Sequence, residues 1–136
     1  MGTQQILYIV LGFIIVGIAI IVGTIPSFIR GMESANRDAI TQDCMKLAAA
    51  AQGYYRKPGM FGGGGNSFEN IDIFDCGMPD NGSGIGENDN GTFSVDGSAG
   101  DYCVITGYSN TNPGATVEIT VYVGDIEDPI MTGWGD

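Results

Sequence analysis

Ile6–Ile25 reads ILYIVLGFIIVGIAIIVGTI, a run of consecutive residues without a single charge. At about 1.5 Å per residue a helix of this length covers roughly 30 Å, the hydrocarbon thickness of a bilayer. A cleavable signal peptide would pair a shorter apolar stretch with a basic start and a small-residue cleavage site. Here no Lys or Arg precedes Arg30, so the run reads as a membrane-length helix. The pattern then turns amphipathic rather than ending in a loop. Ile40, Cys44, Leu47, Ala51 and Tyr54 are spaced by three and four residues and share one helical face. Glu33 and Arg37 form an i,i+4 pair in the favourable order. Pro58 with Gly59 supplies a stop. One helix is therefore predicted from about Thr3 to Arg56. Gly23 and Pro26 should distort it, since proline removes a backbone hydrogen bond and collides with the preceding turn.

Working outward, Phe61–Phe68 (FGGGGNSF) reads as a flexible connection. It lacks the lysine of a phosphate-binding loop and follows a helix instead of joining strand to helix. Phe68–Asp80 is expected to hold a helical turn or irregular chain, and Asp80–Asn90 a polar loop. Strand signals follow at Thr92–Val95, Tyr102–Tyr108 and Thr116–Val123. In the last of these Val117, Ile119, Val121 and Val123 should face inward, with Glu118, Thr120 and Tyr122 outward. A short fourth strand is expected near Met131–Trp134. The predicted fold is α+β: a long N-terminal helix, apolar in its first half, packed on an antiparallel sheet of three to four strands. Residues 3–25 form the membrane or polymer core, 26–57 the amphipathic continuation, 58–90 the Gly-rich and acidic loops, and 91–136 the β head. Ile40, Cys44, Leu47, Ala51 and Tyr54 should meet Val117, Ile119 and Val121, because a sheet with one apolar face needs a cover.

Charge is segregated. All five basic residues lie between Arg30 and Lys57, and the net charge is -11. Beyond Lys57 every charged side chain is acidic, so the head is not expected to bind nucleic acid through phosphate neutralisation. Like-charged heads should repel one another along any polymer, most strongly at low salt. The chain has no histidine, and its 3 cysteines, Cys44, Cys76 and Cys103, contain no CxxC. Common zinc, haem and redox patterns are thereby excluded. One disulfide between two of the three is expected in an oxidising compartment, the pairing being open. No catalytic residue or resident cofactor is expected. Calcium is the one candidate ion, with Asp80, Glu87 and Asp89 as candidate ligands in a loop that departs from the D-x-[DN]-x-[DN]-G pattern. Asn81-Gly-Ser83 and Asn90-Gly-Thr92 fit the N-glycosylation pattern.

Over its first 60 positions the chain resembles type IV pilins. The resemblance is carried by the uncharged run, the proline in Thr24-Ile-Pro-Ser-Phe28, and the amphipathic stretch from Asn36 through Ala48–Tyr55 into a Gly-rich loop. Beyond that it extends only to layout. It implies an extracellular filament subunit, held in the inner membrane before assembly and handled by a pilus assembly machinery and a prepilin peptidase. Processing after Gly2, none at all, or a chain already in mature form at Met1 all stay open. Pilins usually carry Glu at the fifth mature position; here Gln5 stands there, and Gln4 or Gln5 would offer a neutral polar contact.

Homo-polymerisation through the helix would use Ile6, Ile9 and Phe13 together with a row of small residues at every fourth position. That row is Ala19, Gly23, Ser27, Gly31, Ala35 and Ala39. Small side chains let helix backbones approach closely in apolar surroundings. Two other readings stand beside this one: a monomeric membrane-anchored module binding calcium or glycan, and a short pseudopilin of a secretion system. Arg30 and Arg37, following an apolar run that no base precedes, would by the positive-inside rule place the head in the cytoplasm.

Overall fold

The structure, a computed structural model, describes residues 2–134, apart from the side chains of residues 23–28. The chain divides into two compact units, Met1–Ser34 and Ala35–Asp136. One helix, α1 (Gly2–Arg56), contributes to both.

In the first unit every described residue from Gly2 to Val22 is exposed. An 18-residue window of this 21-residue segment has a mean hydropathy of 2.8 and none of it is buried, so the segment is long and apolar enough to lie in a membrane or to be a signal sequence. The distortion expected at Gly23 and Pro26 falls outside the described side chains.

The second unit packs the remainder of α1 on an antiparallel sheet, the α+β arrangement the sequence implies. Its strands are β1 (Gly86–Glu87), β2 (Gly91–Asp96), β3 (Tyr102–Ser109), β4 (Thr116–Tyr122), β5 (Asp125–Ile126) and β6 (Ile130–Thr132). The order is β1-β2-β3-β4-β5, and β6 pairs with β4 through Thr116↔Thr132, Val117↔Met131 and Glu118↔Ile130. The three long strands form the expected meander, with Ile105 opposite Ile119 and Val95. The strand count exceeds the predicted three to four because β1 and β5 are two residues each, too short to show a period of two. Alternation holds through β4, where Val117, Ile119 and Val121 are buried. It fails at Val123, which is 39% exposed because the strand ends at Tyr122 and the chain turns back into β5.

Ile40, Cys44, Leu47, Ala48 and Ala51 bring one stripe of α1 into the core, and Tyr54 packs against it half-buried. Phe93, Cys103 and Ile105 meet that stripe from the sheet, and Phe68 and Ile73 close the core from the loops. Gly107 in β3 marks a close approach of sheet and helix. A Cβ there would stand 2.6 Å from Cγ2 of Ile40 and 2.9 Å from Sγ of Cys44.

The glycine run is an ordered helix cap, not a flexible connection. Gly64 N donates to Tyr54 O (2.8 Å), Gly65 N to Lys57 O (3.0 Å) and Asn66 N to Tyr55 O (2.8 Å). The last carbonyls of a helix need such partners. Folding the chain back onto its own helix end requires left-handed backbone, with φ of 85° at Gly62 and 58° at Gly65.

Candidate assembly surface

In the first unit the side chains expected to mediate packing are presented outward: Ile6 is 64%, Ile9 58% and Phe13 74% exposed. Ala19 and Gly31, farther along the helix, are exposed as well, and a Cβ built on Gly31 meets nothing within 4 Å. Gln4 and Gln5 are exposed at the start of α1. Gly23 and Ser27 of the small-residue row fall outside the described side chains.

In the second unit the helix has a covered and an uncovered face. The uncovered one runs through Ala35, Asp38, Gln42, Met45, Ala49, Gly53 and Arg56, all exposed, at spacings of three and four. Ala35 belongs to the predicted row and lies on this face. Ala39, the last of that row, is half-buried beside Ile40. Steps of four overshoot a helical turn by about 40° each, so a row at strict fourth positions winds around the helix and reaches the sheet side by Ala39. The open face continues instead at mixed spacing, with Ala49 and Gly53 as its small members.

A polar clasp that sequence reading missed joins α1 to the loops at one end of the sheet. Asp43 Oδ2 accepts from Asn88 Nδ2 (2.9 Å) and Asn90 Nδ2 (2.8 Å). Asn36 Nδ2 donates to Asn90 O (2.9 Å), while Asn36 Oδ1 accepts from Ser109 Oγ (2.6 Å). These partners are separated by 45 to 73 positions, and asparagine in a loop is ordinarily read as a turn former. No local signal marks them. At the other end of the sheet Gln52 Nε2 and Arg56 Nη2 donate to Tyr122 O and Val123 O. Gly107, by contrast, carried a legible signal, since a glycine inside a strand pattern marks close backbone approach.

No disulfide is formed: Cys44, Cys76 and Cys103 are all free thiols, and all are buried. Burial pushes each thiol up to about 12, with neighbouring negative groups adding to it: Asp43 beside Cys44, Cys103 with Asp75 and Asp72 beside Cys76, and Asp96 beside Cys103. Such thiols are poor nucleophiles. Among the described residues no group of three or more His, Cys, Asp or Glu side chains is placed to hold a metal ion, so Asp80, Glu87 and Asp89 are not brought together. Asp80 is occupied otherwise, its Oδ1 accepting from the amides of Gly82 and Gly84, both at 2.8 Å. The two glycosylation triplets differ: Asn81 is exposed in its loop, whereas Asn90 is half-buried in the clasp.

Charges in the second unit are left largely uncompensated. Among the described residues the ion pair formed is Arg37–Asp38, at 3.8 Å between chain neighbours. No family model matches the chain, and no curated protein or solved structure matches it.

Proposed function

We propose that this chain is the structural subunit of an extracellular helical filament of the type IV pilin kind, polymerising through α1. The observation that supports this reading is the exposed apolar segment Gly2–Val22, none of it buried, on the same helix that supplies the core of a folded acidic head. Lipid and neighbouring apolar helices are nearly equivalent surroundings for such a segment, so packing and head contacts decide which it occupies. The subunit waits in the inner membrane, is processed by a prepilin peptidase, and exchanges lipid for its neighbours with the help of an assembly machinery. Ile6, Ile9 and Phe13 then supply apolar contact area. Ala19, Gly31 and Ala35 allow close approach, and Gln4 and Gln5 offer a neutral polar contact at the helix start. A short pseudopilin of a secretion system shares this plan and differs chiefly in polymer length.

Gly31→Leu and Ala35→Leu test the reading. Both positions are exposed and a Cβ on Gly31 meets nothing within 4 Å, so neither substitution enters the subunit's core. Negative-stain microscopy and sedimentation should show filaments for the parent and none, or only short ones, for the variants. Full-length filaments from both variants, or a parent that stays monomeric in detergent and in lipid, would overturn it and favour a membrane-anchored monomer.

A further inference from the structure

We propose that Asn81 is a self-deamidating residue, set up by its own loop to convert to aspartate and isoaspartate. Two Asn-Gly steps occur in the chain, Asn81-Gly82 and Asn90-Gly91. In the first, three contacts fit the reaction. The Gly82 amide, which is the nucleophile, donates its proton to Asp80 Oδ1 at 2.8 Å. The side-chain carbonyl under attack, Asn81 Oδ1, accepts from the Ser83 amide at 2.9 Å. Asn81 is exposed, and its Nδ2 has no hydrogen-bond partner among the described residues. A base within hydrogen-bond reach of the proton to be removed and a donor on the oxygen that gains charge are the two elements such an acyl transfer needs.

The step balances without an oxidant or a cofactor. A bond forms between Gly82 N and Asn81 Cγ while charge builds on Oδ1, held by Ser83 N–H. The Gly82 proton passes through Asp80 to the departing Nδ2. The Cγ–Nδ2 bond breaks, ammonia leaves, and a succinimide remains. Water then opens the ring at either carbonyl, giving aspartate or isoaspartate and one further negative charge. Gly82 has no Cβ to obstruct the approach, and its φ of 98° is one that other residues rarely adopt.

Asn90 has the same dipeptide but none of the freedom. Its Nδ2, the leaving group, donates to Asp43 Oδ2 at 2.8 Å. The Gly91 amide donates to Asn88 Oδ1 at 3.1 Å, and Gly91 is a buried residue opening β2, opposite Ser109. The fold therefore separates two chemically identical sites, whatever assembly the chain belongs to.

The test incubates purified full-length protein in warm neutral buffer and follows both Asn-Gly peptides by mass spectrometry. An isoaspartyl methyltransferase serves as a second probe for the isoaspartate product. Asn81 should convert while Asn90 stays an amide, and in urea the two should convert at similar rates. Asp80→Asn should slow the Asn81 reaction by about 10-fold or more, up to the roughly 100-fold at the low side of what a positioned base supplies. Ser83→Pro, which removes the amide donor, should slow it as well, with circular dichroism showing the head still folded. The proposal is overturned if Asn81 lasts as long as Asn90 in the folded protein. It is equally overturned if the contrast persists in urea, or if both variants react at the parent's rate.

Discussion

Gly107 lies at a close approach of α1 to the sheet, and an added methyl would meet Ile40, Cys44 and the ring of Phe93. Overpacking a filled core costs about 1–3 kcal/mol. Gly107→Ala should therefore lose that much stability in urea denaturation of the detergent-solubilised chain; an unchanged midpoint would show that the helix moves away freely. The three buried thiols give a second prediction at this scale. Each is raised from 9.0 to about 12, so the folded chain prefers the protonated form. That contribution is complete below the ordinary thiol value and is lost as pH rises from about 9 toward 12, because the unfolded chain ionises first. Melting temperature should hold through neutral pH and fall across that alkaline window, and a Cys103→Ala variant should show a shallower fall. Gly107 could be read from its place in YCVITGY, but the state of the cysteines could not. An odd number of cysteines fixes neither pairing nor redox state, and only the fold shows all three within one apolar core.

Among the elements, the helix and the three long strands were legible because each is long enough to show its period. α1 begins and ends within a residue of its expected limits, and Ile40, Cys44, Leu47 and Ala51 lie on the buried face. The contacts that fasten these elements together were not legible, since they join residues far apart in the chain and use side chains that look like ordinary loop polarity. Asp43 is the centre of the clasp. Replacing it with alanine leaves two carboxamides without their charged acceptor and should cost about 2 kcal/mol, the range for hydrogen bonds to a charged group. Hydrogen exchange should then rise in Asn88–Asn90 and at the start of β2 more than in β4. Uniform exchange across the sheet would show that the clasp does not hold that end. The glycine cap is hidden for a related reason: four consecutive glycines suggest freedom, whereas here all four amides are hydrogen-bonded. Gly62 and Gly63 donate to Gly59 O and Pro58 O, Gly64 to Tyr54 O in α1 and Gly65 to Lys57 O just past it.

At the scale of the whole molecule, one-sided charge and topology carry the predictions. With Arg37–Asp38 as the ion pair among the described residues, the acids of the head repel those of any neighbour. If the chain forms the proposed filaments, these should shorten at low ionic strength and lengthen as salt screens the heads; lengths independent of salt would mean that bases of adjacent copies or bound cations already neutralise them. Which side of the membrane the head occupies is open to a labelling test. The native thiols are buried, so a reporter cysteine belongs at exposed Ser98. Labelling of Ser98→Cys on intact cells is the expected result, and labelling only after lysis would place the head in the cytoplasm as the arginines suggest. The outer strands of the sheet bear on how such a polymer ends its life. The outer strands β1, β5 and β6 are two, two and three residues long, so each offers little bare backbone for one head to template strands on the next. If the proposed filament forms through helix flanks, its units would part without strand exchange between heads, and dissolving the fibre in detergent should return folded subunits instead of an amyloid-like deposit.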